Sequence, residues 1–494
     1  MADWIQEKKL GRKTTNHRIR DWMISRQRYW GTPIPMVHCK KCGVVPVPES
    51  ELPVLLPEKV SFKAAGNPLA SCKEFTEAKC PKCKGPAKRD TDTMGGFMDS
   101  SWYFLRYCSP KEKGFAFDKK AVKYWMPVDY YVGGAEHAFM HLPYARFFIK
   151  ALHDMGYVSF DEPFARLFNQ GILYKDGHKM SKSFGNAVTQ EEISKKYGID
   201  TARIFLMFVS SPESQMEWSD EGIIGSYRFV VRFLNMVESC SVLKCRTGKL
   251  EMRDMMMRAK LHASIKRITE SFESIRFNLT IGALMELSNQ IQKYSEDPHK
   301  EVLSESMESL VAMLSPFAPH ICEEAWESFG KKGFVSLAKW PVHDETIIDR
   351  KLEMMDELVE STKDDVREVI KIVGRQPKVI IIYASPMWKY AVYGEIIERA
   401  KKEAAIKDML KAIMQMPEAR TQGKHAVAFA EKLAKDARML KGTLSQEEEM
   451  KALNSSKAEL ESLFGCKVNV IRAEDSKSQK AMRAEPGRPG IEVE

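Results

Sequence analysis

The chain has 494 residues, 44% of them hydrophobic, and its 76 Lys and Arg exceed its 67 Asp and Glu to give a net charge of +9. This length predicts three or four domains, and the mild positive charge is compatible with a polyanionic partner without identifying one. No apolar run approaches a membrane-spanning length, and the amino terminus lacks the apolar core of a signal peptide. We therefore expect a cytoplasmic protein with no membrane partner.

Residues 1–36 are basic and aromatic and end in an extended segment rich in Gly and Pro. Within this segment arginines stand beside aromatic rings, a combination suited to a bent single strand of nucleic acid. The residues that carry this prediction are Arg26, Arg28 and Trp30. A structural salt bridge is the alternative role for each arginine.

Residues 37–93 form a loop-rich insert with many prolines. Two Cys-x-x-Cys pairs lie within it, formed by Cys39, Cys42, Cys80 and Cys83. Thiols stay reduced in the cytoplasm, and each pair can make a knuckle whose two thiolates reach one tetrahedral ion. The pattern predicts a structural Zn²⁺ with no open coordination position, and four unmetallated cysteines are the alternative.

Residues 94–190 follow an α/β pattern. A short apolar strand at 130–132 runs into Gly133 and Gly134, a helical stripe follows, and a second apolar strand leads into a turn rich in Gly and Lys. A glycine pair lets the backbone approach a ligand closely, and a carboxylate just beyond a strand end, here Glu136, suits ribose hydroxyls. This region is therefore a candidate nucleotide site.

The rest of the chain divides into three parts. Residues 191–225 are a connection, and the helical periodicity of 226–345 predicts a bundle of four or five helices. Residues 346–494 hold a β-rich run near each end with charged helices between them, which predicts a small α/β domain. Its last dozen residues, rich in Pro and Gly, are expected to form a loose tail.

The strongest local signal is the pentapeptide Lys179-Met180-Ser181-Lys182-Ser183, which follows an apolar strand and precedes a helical segment. Two ammonium groups three residues apart on a turn can approach a triphosphate from one side, and the two serine hydroxyls add donors. Such a loop suits nucleotidyl transfer from ATP, where positioned cations stabilise the departing pyrophosphate. A solvated lysine-rich turn is the alternative.

This pentapeptide resembles the second signature of the class I aminoacyl-tRNA synthetases. The run from Arg26 to Pro35 resembles the segment that re-enters the catalytic domain after the editing insertion in the leucine, isoleucine and valine enzymes. Similar segments at 99–103 and 315–320 extend the resemblance from residue 4 to about 345. It implies the second half of a Rossmann-type catalytic domain with a zinc-knuckle insert, a stem-contact connection, a helical anticodon-binding bundle and a carboxyl-terminal α/β domain that binds tRNA.

The prediction of which amino acid the enzyme attaches to tRNA rests on Glu136-His137, because the isoleucine and valine enzymes usually have Asp-Gln at this position. The Glu-His form resembles the leucine-specific members. The resemblance places Gly133, Gly134 and Glu136 at the adenylate ribose, and His137 near the leucyl group. The same pocket would be lined by Phe97, Ser100 and Tyr103, and ordinary core packing is the alternative role for Phe97 and Tyr103.

The resemblance implies that ATP, accompanied by Mg²⁺, and leucine form an adenylate, from which leucine passes to its tRNA. Lys179 and Lys182 would contact the ATP phosphates. The first class I signature, His-x-Gly-His, has no counterpart among the eleven histidines, and the chain begins where an editing insertion should end. We therefore expect the carboxyl-terminal part of a split or truncated enzyme, inactive without a separate amino-terminal chain. The alternatives are an inactive tRNA-binding derivative and an isoleucine- or valine-specific relative.

Overall fold

The computed structural model describes residues 1–12, 14–15, 22–62, 66–181, 184–402, 405–435 and 442–494. The chain folds into two compact units, Met1–Ile172 and Leu173–Glu494. Their boundary falls inside the segment 94–190, which we predicted as one α/β region. None of the helices in the described part of the chain combines the length and the apolar character that crossing a membrane requires.

The first unit combines short strands with short helices. Its helices are α1 (Ala2–Glu7), α2 (Lys73–Thr76), α3 (Gly96–Asp99), α4 (Tyr103–Tyr107), α5 (Lys119–Trp125) and α6 (His141–Asp154). Its strands are β1 (Ser25–Arg26), β2 (Met36–Cys39), β3 (Gly43–Pro46), β4 (Glu77–Lys79), β5 (Pro86–Arg89), β6 (Thr93–Met94), β7 (Tyr131–Gly134) and β8 (Leu167–Gln170). Strands β7 and β8 are parallel, with Tyr131 opposite Leu167. Helix α6 packs through its buried face against α4 and α5.

The cysteine insert is one antiparallel sheet in the order β3-β2-β5-β4. Strands β2 and β3 form one hairpin and β4 and β5 another, and each Cys-x-x-Cys pair occupies the turn of a hairpin. Left-handed backbone at Gly43 (φ 74°) and Lys84 (φ 60°) completes the two turns. Because β2 also pairs with β5, the two cysteine turns lie at the same end of the sheet.

The second unit is mainly helical. Its strands are β9 (Leu173–Lys175), β10 (His178–Lys179), β11 (Met216–Glu217), β12 (Val379–Ala384), β13 (Lys467–Arg472) and β14 (Gly490–Val493). Its helices begin with α7 (Gln190–Tyr197), α8 (Ile199–Phe208), α9 (Asp220–Ser241), α10 (Met252–Glu273), α11 (Phe277–Tyr294), α12 (Lys300–Leu314), α13 (Pro319–Ser328) and α14 (Arg350–Val373). They continue with α15 (Met387–Lys401), α16 (Ile406–Ile413), α17 (Pro417–Arg420), α18 (Lys424–Lys435), α19 (Gln446–Ser455), α20 (Lys457–Phe464) and α21 (Gln479–Arg483).

Helices α9 to α13 form the helical bundle that the periodicity predicted. Their apolar stripes meet in one core that includes Phe233, Leu261, Leu284 and Leu310, all fully buried. Caps set where the helices begin: the Ser219 side chain accepts the N–H of Gly222 at the start of α9.

The carboxyl-terminal region contains a sheet in the order β13-β12-β14. Strand β12 is parallel to β13 and antiparallel to β14. The expectation of a loose tail is therefore wrong, because Gly490–Val493 pairs with β12 and buries Ile491 in the neighbouring core. Strand β12 lies more than a hundred residues before the tail in the sequence. Its open edge forms hydrogen bonds with the main-chain N–H and C=O groups of the tail.

Candidate functional site

The pentapeptide begins on a tight β-hairpin in the second unit. Strands β9 and β10 pair with Lys179 opposite Tyr174, and the turn between them uses left-handed backbone at Asp176 (φ 55°) and Gly177 (φ 73°). The Lys179 side chain is exposed and available to a ligand. Met180 packs against the core formed around α7, α8 and the start of α9. Lys182 and Ser183 lie outside the described residues.

Asn186 organises the backbone on both sides of this hairpin. Its side-chain oxygen accepts the N–H of Ser181 at 3.0 Å, and its amide nitrogen lies 3.4–3.5 Å from the carbonyl oxygens of Lys175, His178 and Lys179. The Ser181 hydroxyl accepts the N–H of Phe184 at 3.3 Å. Asn186 was missed by the sequence reasoning, although its place after Gly185 was a signal for a turn-organising side chain.

The glycine pair and Glu136 lie at the carboxyl end of β7 in the first unit. Gly133 and Gly134 end the strand, and Glu136 and His137 follow in a single 3₁₀ turn. A Cβ atom on Gly134 would meet the Glu136 carboxylate, so a larger residue would require that side chain to move. Glu136 is exposed, and its carboxylate can accept hydrogen bonds from a ligand.

A cluster of aromatic and histidine rings lies beside this strand end. His141 is only 3% exposed, and its ring centroid is 5.7 Å from that of Tyr103 and 5.5 Å from that of Tyr131. The ring of His137 is 6.2 Å away, at right angles. Among the described residues, both ring nitrogens of His141 and Nδ1 of His137 are buried without a hydrogen-bond partner.

The His141 ring is held neutral. Burial lowers its pKa, and the neighbouring His137 lowers it further. A cavity of about 400 Å³ adjoins this cluster and is lined by Tyr131, Leu142 and Phe164 among others. Sequence reasoning named Tyr103 and His137 for this pocket but missed Tyr131, and it expected only a packing or hydrogen-bonding role for His141. The position of His141 four residues after His137 was the available signal.

The other two predicted pocket residues, Phe97 and Ser100, make contacts with groups outside this ring cluster. Phe97 is 37% exposed in α3, and its ring centroid is 5.9 Å from that of Tyr144, which stacks on Trp22. The Ser100 hydroxyl donates to the carbonyl of Phe97 at 3.4 Å. The contacts of Phe97 are therefore with a second aromatic group, formed by Trp22, Tyr144 and Phe147.

The four insert cysteines converge as the hairpin turns require. Their sulfur atoms all lie within 4.8 Å of one another, and Sγ of Cys39 is 3.6 Å from Sγ of Cys83. Tetrahedral Zn²⁺ with bonds of about 2.3 Å would hold thiolates about 3.8 Å apart, so the set fits such an ion. Cys72 and His38 are not members of this group.

The surroundings of Cys39 and Cys42 shift the pKa values of these two thiols in opposite directions. The backbone N–H groups of Cys42 and Lys41 lower the pKa of Cys39 to about 7. The neighbouring Cys83 thiol, together with burial, raises the pKa of Cys42 to about 12. Four thiolates this close repel one another, and a cation among them would remove that repulsion.

The basic and aromatic residues near the amino terminus are open to a partner. Arg26 lies in β1 opposite Thr93, and the backbone carbonyl of Arg28 accepts the Thr93 hydroxyl at 2.9 Å. Neither arginine forms a salt bridge within the part of the chain that the structure describes. Trp30 is 78% exposed, so its ring can stack on a ligand.

Comparisons with known proteins agree on one family. Residues 2–219 match the family of tRNA synthetases class I (I, L, M and V), and residues 254–382 match the anticodon-binding domain of tRNA ligase. The leucine–tRNA ligase of Thermosipho melanesiensis is 48% identical over 358 residues, which is 70% of this chain and 44% of the relative. That of Thermotoga maritima is 44% identical over 403 residues, 79% of this chain and 49% of the relative.

A solved structure is similar over most of the chain. The LeuRS (agnB2) of Agrobacterium radiobacter K84, in a ternary complex with tRNA and LeuAMS, has a TM-score of 0.66 and 32% identity. The match covers 85% of this chain and 52% of that one. The chain spans about half the length of the curated relatives that it matches.

Proposed function

The chain belongs to the class I aminoacyl-tRNA synthetases, and from this premise we propose that it is the carboxyl-terminal part of a leucine–tRNA ligase. The overall reaction joins leucine to its tRNA with conversion of ATP to AMP and pyrophosphate. The observation that carries this proposal is the 44–49% identity to leucine–tRNA ligases over 70–79% of the chain.

Lys179 and Lys182 stabilise the pyrophosphate that leaves as the adenylate forms, and Mg²⁺ accompanies ATP. The exposed position of Lys179 on a hairpin secured by Asn186 supports this role, since a preorganised cation costs little reorganisation during the reaction. Ser181 and Ser183 add hydroxyl groups near the phosphates. The place of Lys182 and Ser183 in this proposal comes from the sequence motif.

The ribose of the adenylate lies against Gly133 and Gly134, and its hydroxyls donate to Glu136. The leucine side chain lies among Tyr103, Tyr131 and the two histidines, with Phe97 and Ser100 at the border of the same pocket. A neutral His141 supports this placement, because a charged imidazolium would disfavour an aliphatic side chain.

Cys39, Cys42, Cys80 and Cys83 hold a structural Zn²⁺ that ties the two hairpin turns together. The mutual distances of the four thiols support this assignment. Because all four ligands are thiolates, the ion has no open position for a substrate, and its contribution is to the folding of the insert.

Arg26, Arg28 and Trp30 contact the acceptor end of the tRNA, and the bundle and the carboxyl-terminal domain contact its outer parts. Adenylate formation in the cytoplasm requires a separate amino-terminal chain with the His-x-Gly-His signature and the editing domain. The exposure of Val132 (57%) and Leu167 (48%) on the parallel pair β7–β8 supports such a partner. Parallel strands are ordinarily covered on both faces, so further strands are expected beside them.

Pyrophosphate exchange tests the proposal. The purified chain should show no leucine-dependent exchange alone and should gain it when mixed with the amino-terminal half of the Thermotoga maritima relative. Exchange by the chain alone would disprove the need for a partner. Exchange with isoleucine or valine in place of leucine would reassign the amino acid. Tight tRNA binding without exchange in any pairing would identify a tRNA-binding protein instead.

A further inference from the structure

The first turn of α8 is bonded to the first turn of α13 in the helical bundle. The Asp200 side chain is 4% exposed, and its two carboxylate oxygens accept hydrogen bonds of 2.8 Å each. One comes from Nδ1 of His320 and the other from the backbone N–H of Ile321. A buried carboxylate that accepts from two donors in one helical turn fixes that turn closely.

Asp200 serves as the missing cap of α13. The N-cap residue of that helix is Ala318, whose methyl group cannot accept a hydrogen bond, and Pro319 follows at the first helical position. The N–H of Ile321, the third residue of the helix, would therefore lack a capping acceptor without Asp200. A residue 121 positions away along the chain completes the helix.

Arg203, one turn further along α8, donates to the backbone just before the start of α13. Its Nε donates to the carbonyl of Phe317 at 3.0 Å and its Nη2 to the carbonyl of Pro316 at 2.8 Å. Phe317 is itself buried in the bundle core. Asp200 and Arg203 together make four hydrogen bonds, so the first two turns of α8 and residues 316–321, which lead into and begin α13, form one clamp.

The same helix contributes to the small core against which the hairpin of Lys179 packs. Ala202 and Phe205 of α8 lie in the small core that includes Trp218, with the Phe205 and Trp218 rings 5.1 Å apart. Met180, next to the exposed Lys179, packs against that core. Helix α8 therefore shares one core with the hairpin that presents the lysine and is also bonded to the start of α13.

We propose that Asp200 and Arg203 are positioning residues for the adenylate-forming step: by fixing α8 to the bundle they fix the hairpin of Lys179 and Met180. This inference rests on the proposed function, since it assigns the clamp to that reaction. Neither residue touches the substrate. Loosening the clamp shifts the cation relative to the phosphates, and small misplacements are costly in rate.

Kinetics of the reconstituted two-chain enzyme test the assignment. Asp200→Asn and Arg203→Gln should each lower kcat of leucine-dependent pyrophosphate exchange about tenfold and leave the KM for leucine within about twofold. Asp254→Asn is the matched control, because Asp254 is also a fully buried carboxylate that accepts a helix-start N–H. It should lower the melting temperature but leave kcat unchanged.

His320 supplies a rescue pair. His320→Ala removes the ring donor, whereas His320→Asn keeps an N–H near the position of Nδ1. The alanine variant should lose activity and the asparagine variant should retain it within about twofold. Equal activity in both, together with an unchanged kcat in Asp200→Asn and Arg203→Gln, would overturn the clamp as a positioning device.

Hydrogen exchange on the chain alone separates this inference from the proposed function. In Arg203→Gln, amides of the hairpin at 173–181 and of α7 and α8 should exchange faster, while Asp254→Asn should accelerate only α10 and α11. If the wild-type two-chain enzyme shows no leucine-dependent pyrophosphate exchange, the proposed function fails. Amide hydrogen exchange on the single chain still decides whether the clamp holds the hairpin in that case. Faster exchange confined to α13 would overturn the proposal.

Discussion

Two fully buried carboxylates, one in the helical bundle and one in the carboxyl-terminal region, meet opposite environments. Asp254 in α10 pairs with Arg246 at 2.8 Å and accepts from the Tyr294 hydroxyl and the N–H of Glu251. Burial opposes its ionisation, but the hydrogen bonds outweigh burial and lower its pKa. The bundle therefore holds this carboxylate charged.

Glu449 in α19 is equally buried but has no cation beside it among the described residues. It accepts hydrogen bonds from the Tyr390 hydroxyl at 2.6 Å and the N–H of Gly487 at 2.6 Å. Burial is the largest influence and raises its pKa to about 7. Comparing the two sites teaches that a neutral donor pair does not offset the loss of hydration, whereas an arginine with two further donors does.

Removing the charge from the bundle site should have the largest effect. Asp254→Asn leaves Arg246 without its buried partner and should cost about 4 kcal/mol of unfolding free energy at pH 7. The wild-type contribution is present above the unfolded pKa of an aspartate and is lost as the pH falls below about 4. Urea unfolding at pH 7 and pH 3 measures both effects, and equal losses at the two pH values would contradict the charged state.

Removing the ionisable group from the carboxyl-terminal site should raise stability at high pH, which is the opposite of its effect in the bundle. Because the folded pKa of Glu449 is raised to about 7, its contribution is full below about pH 4.5 and is lost as the pH rises through 7. Glu449→Gln should match the wild type at pH 5 and exceed its stability by about 3 kcal/mol at pH 8. Thermal unfolding at the two pH values tests this, and a variant less stable at pH 8 would show that Glu449 ionises without cost.

Deleting the tyrosine hydroxyl in the bundle should have the next largest effect on the free energy of unfolding. Tyr294→Phe removes one donor to Asp254 and also leaves the buried N–H of His299, which donates to that hydroxyl at 2.9 Å, without its acceptor. A loss of about 2 kcal/mol is expected, nearly constant from pH 5 to pH 8. Loss of that size only at pH 8 would mean that the two sites do not differ as described.

Deleting the tyrosine hydroxyl at the Glu449 site should have the smallest effect on the free energy of unfolding, and that effect should depend on pH. Tyr390→Phe removes one donor to Glu449 and leaves the N–H of Gly487 as the remaining one in the described part of the chain. The Tyr390 hydroxyl favours the charged form of Glu449. The loss of unfolding free energy should therefore be about 1 kcal/mol at pH 8 and less at pH 5. A larger loss at pH 5 than at pH 8 would reverse the assignment.

The chemistry-bearing motifs were predictable because each lies in a short stretch of chain. The pentapeptide at 179–183, the strand end at Gly133 and Gly134, and the two Cys-x-x-Cys pairs carry their spacing in the sequence itself. The family followed from the pentapeptide and the segments around it and is confirmed by the comparisons. The helical bundle followed from the periodicity of residues 226–345 and is seen in the structure. A hairpin turn or a strand end depends on a few neighbouring dihedral angles, which local residue types restrict strongly.

The partners that complete these motifs were decided by tertiary structure. Asp200 meets His320 across 120 residues, Tyr131 and Tyr103 enclose His141, and the final strand finds the edge of β12. The same holds for the opposite states of Asp254 and Glu449, which as residues differ by one methylene. The sequence by itself determined which groups can react or bind, since that is covalent chemistry. Only the fold decided their protonation and their neighbours, because burial and distant donors set the cost of a charge.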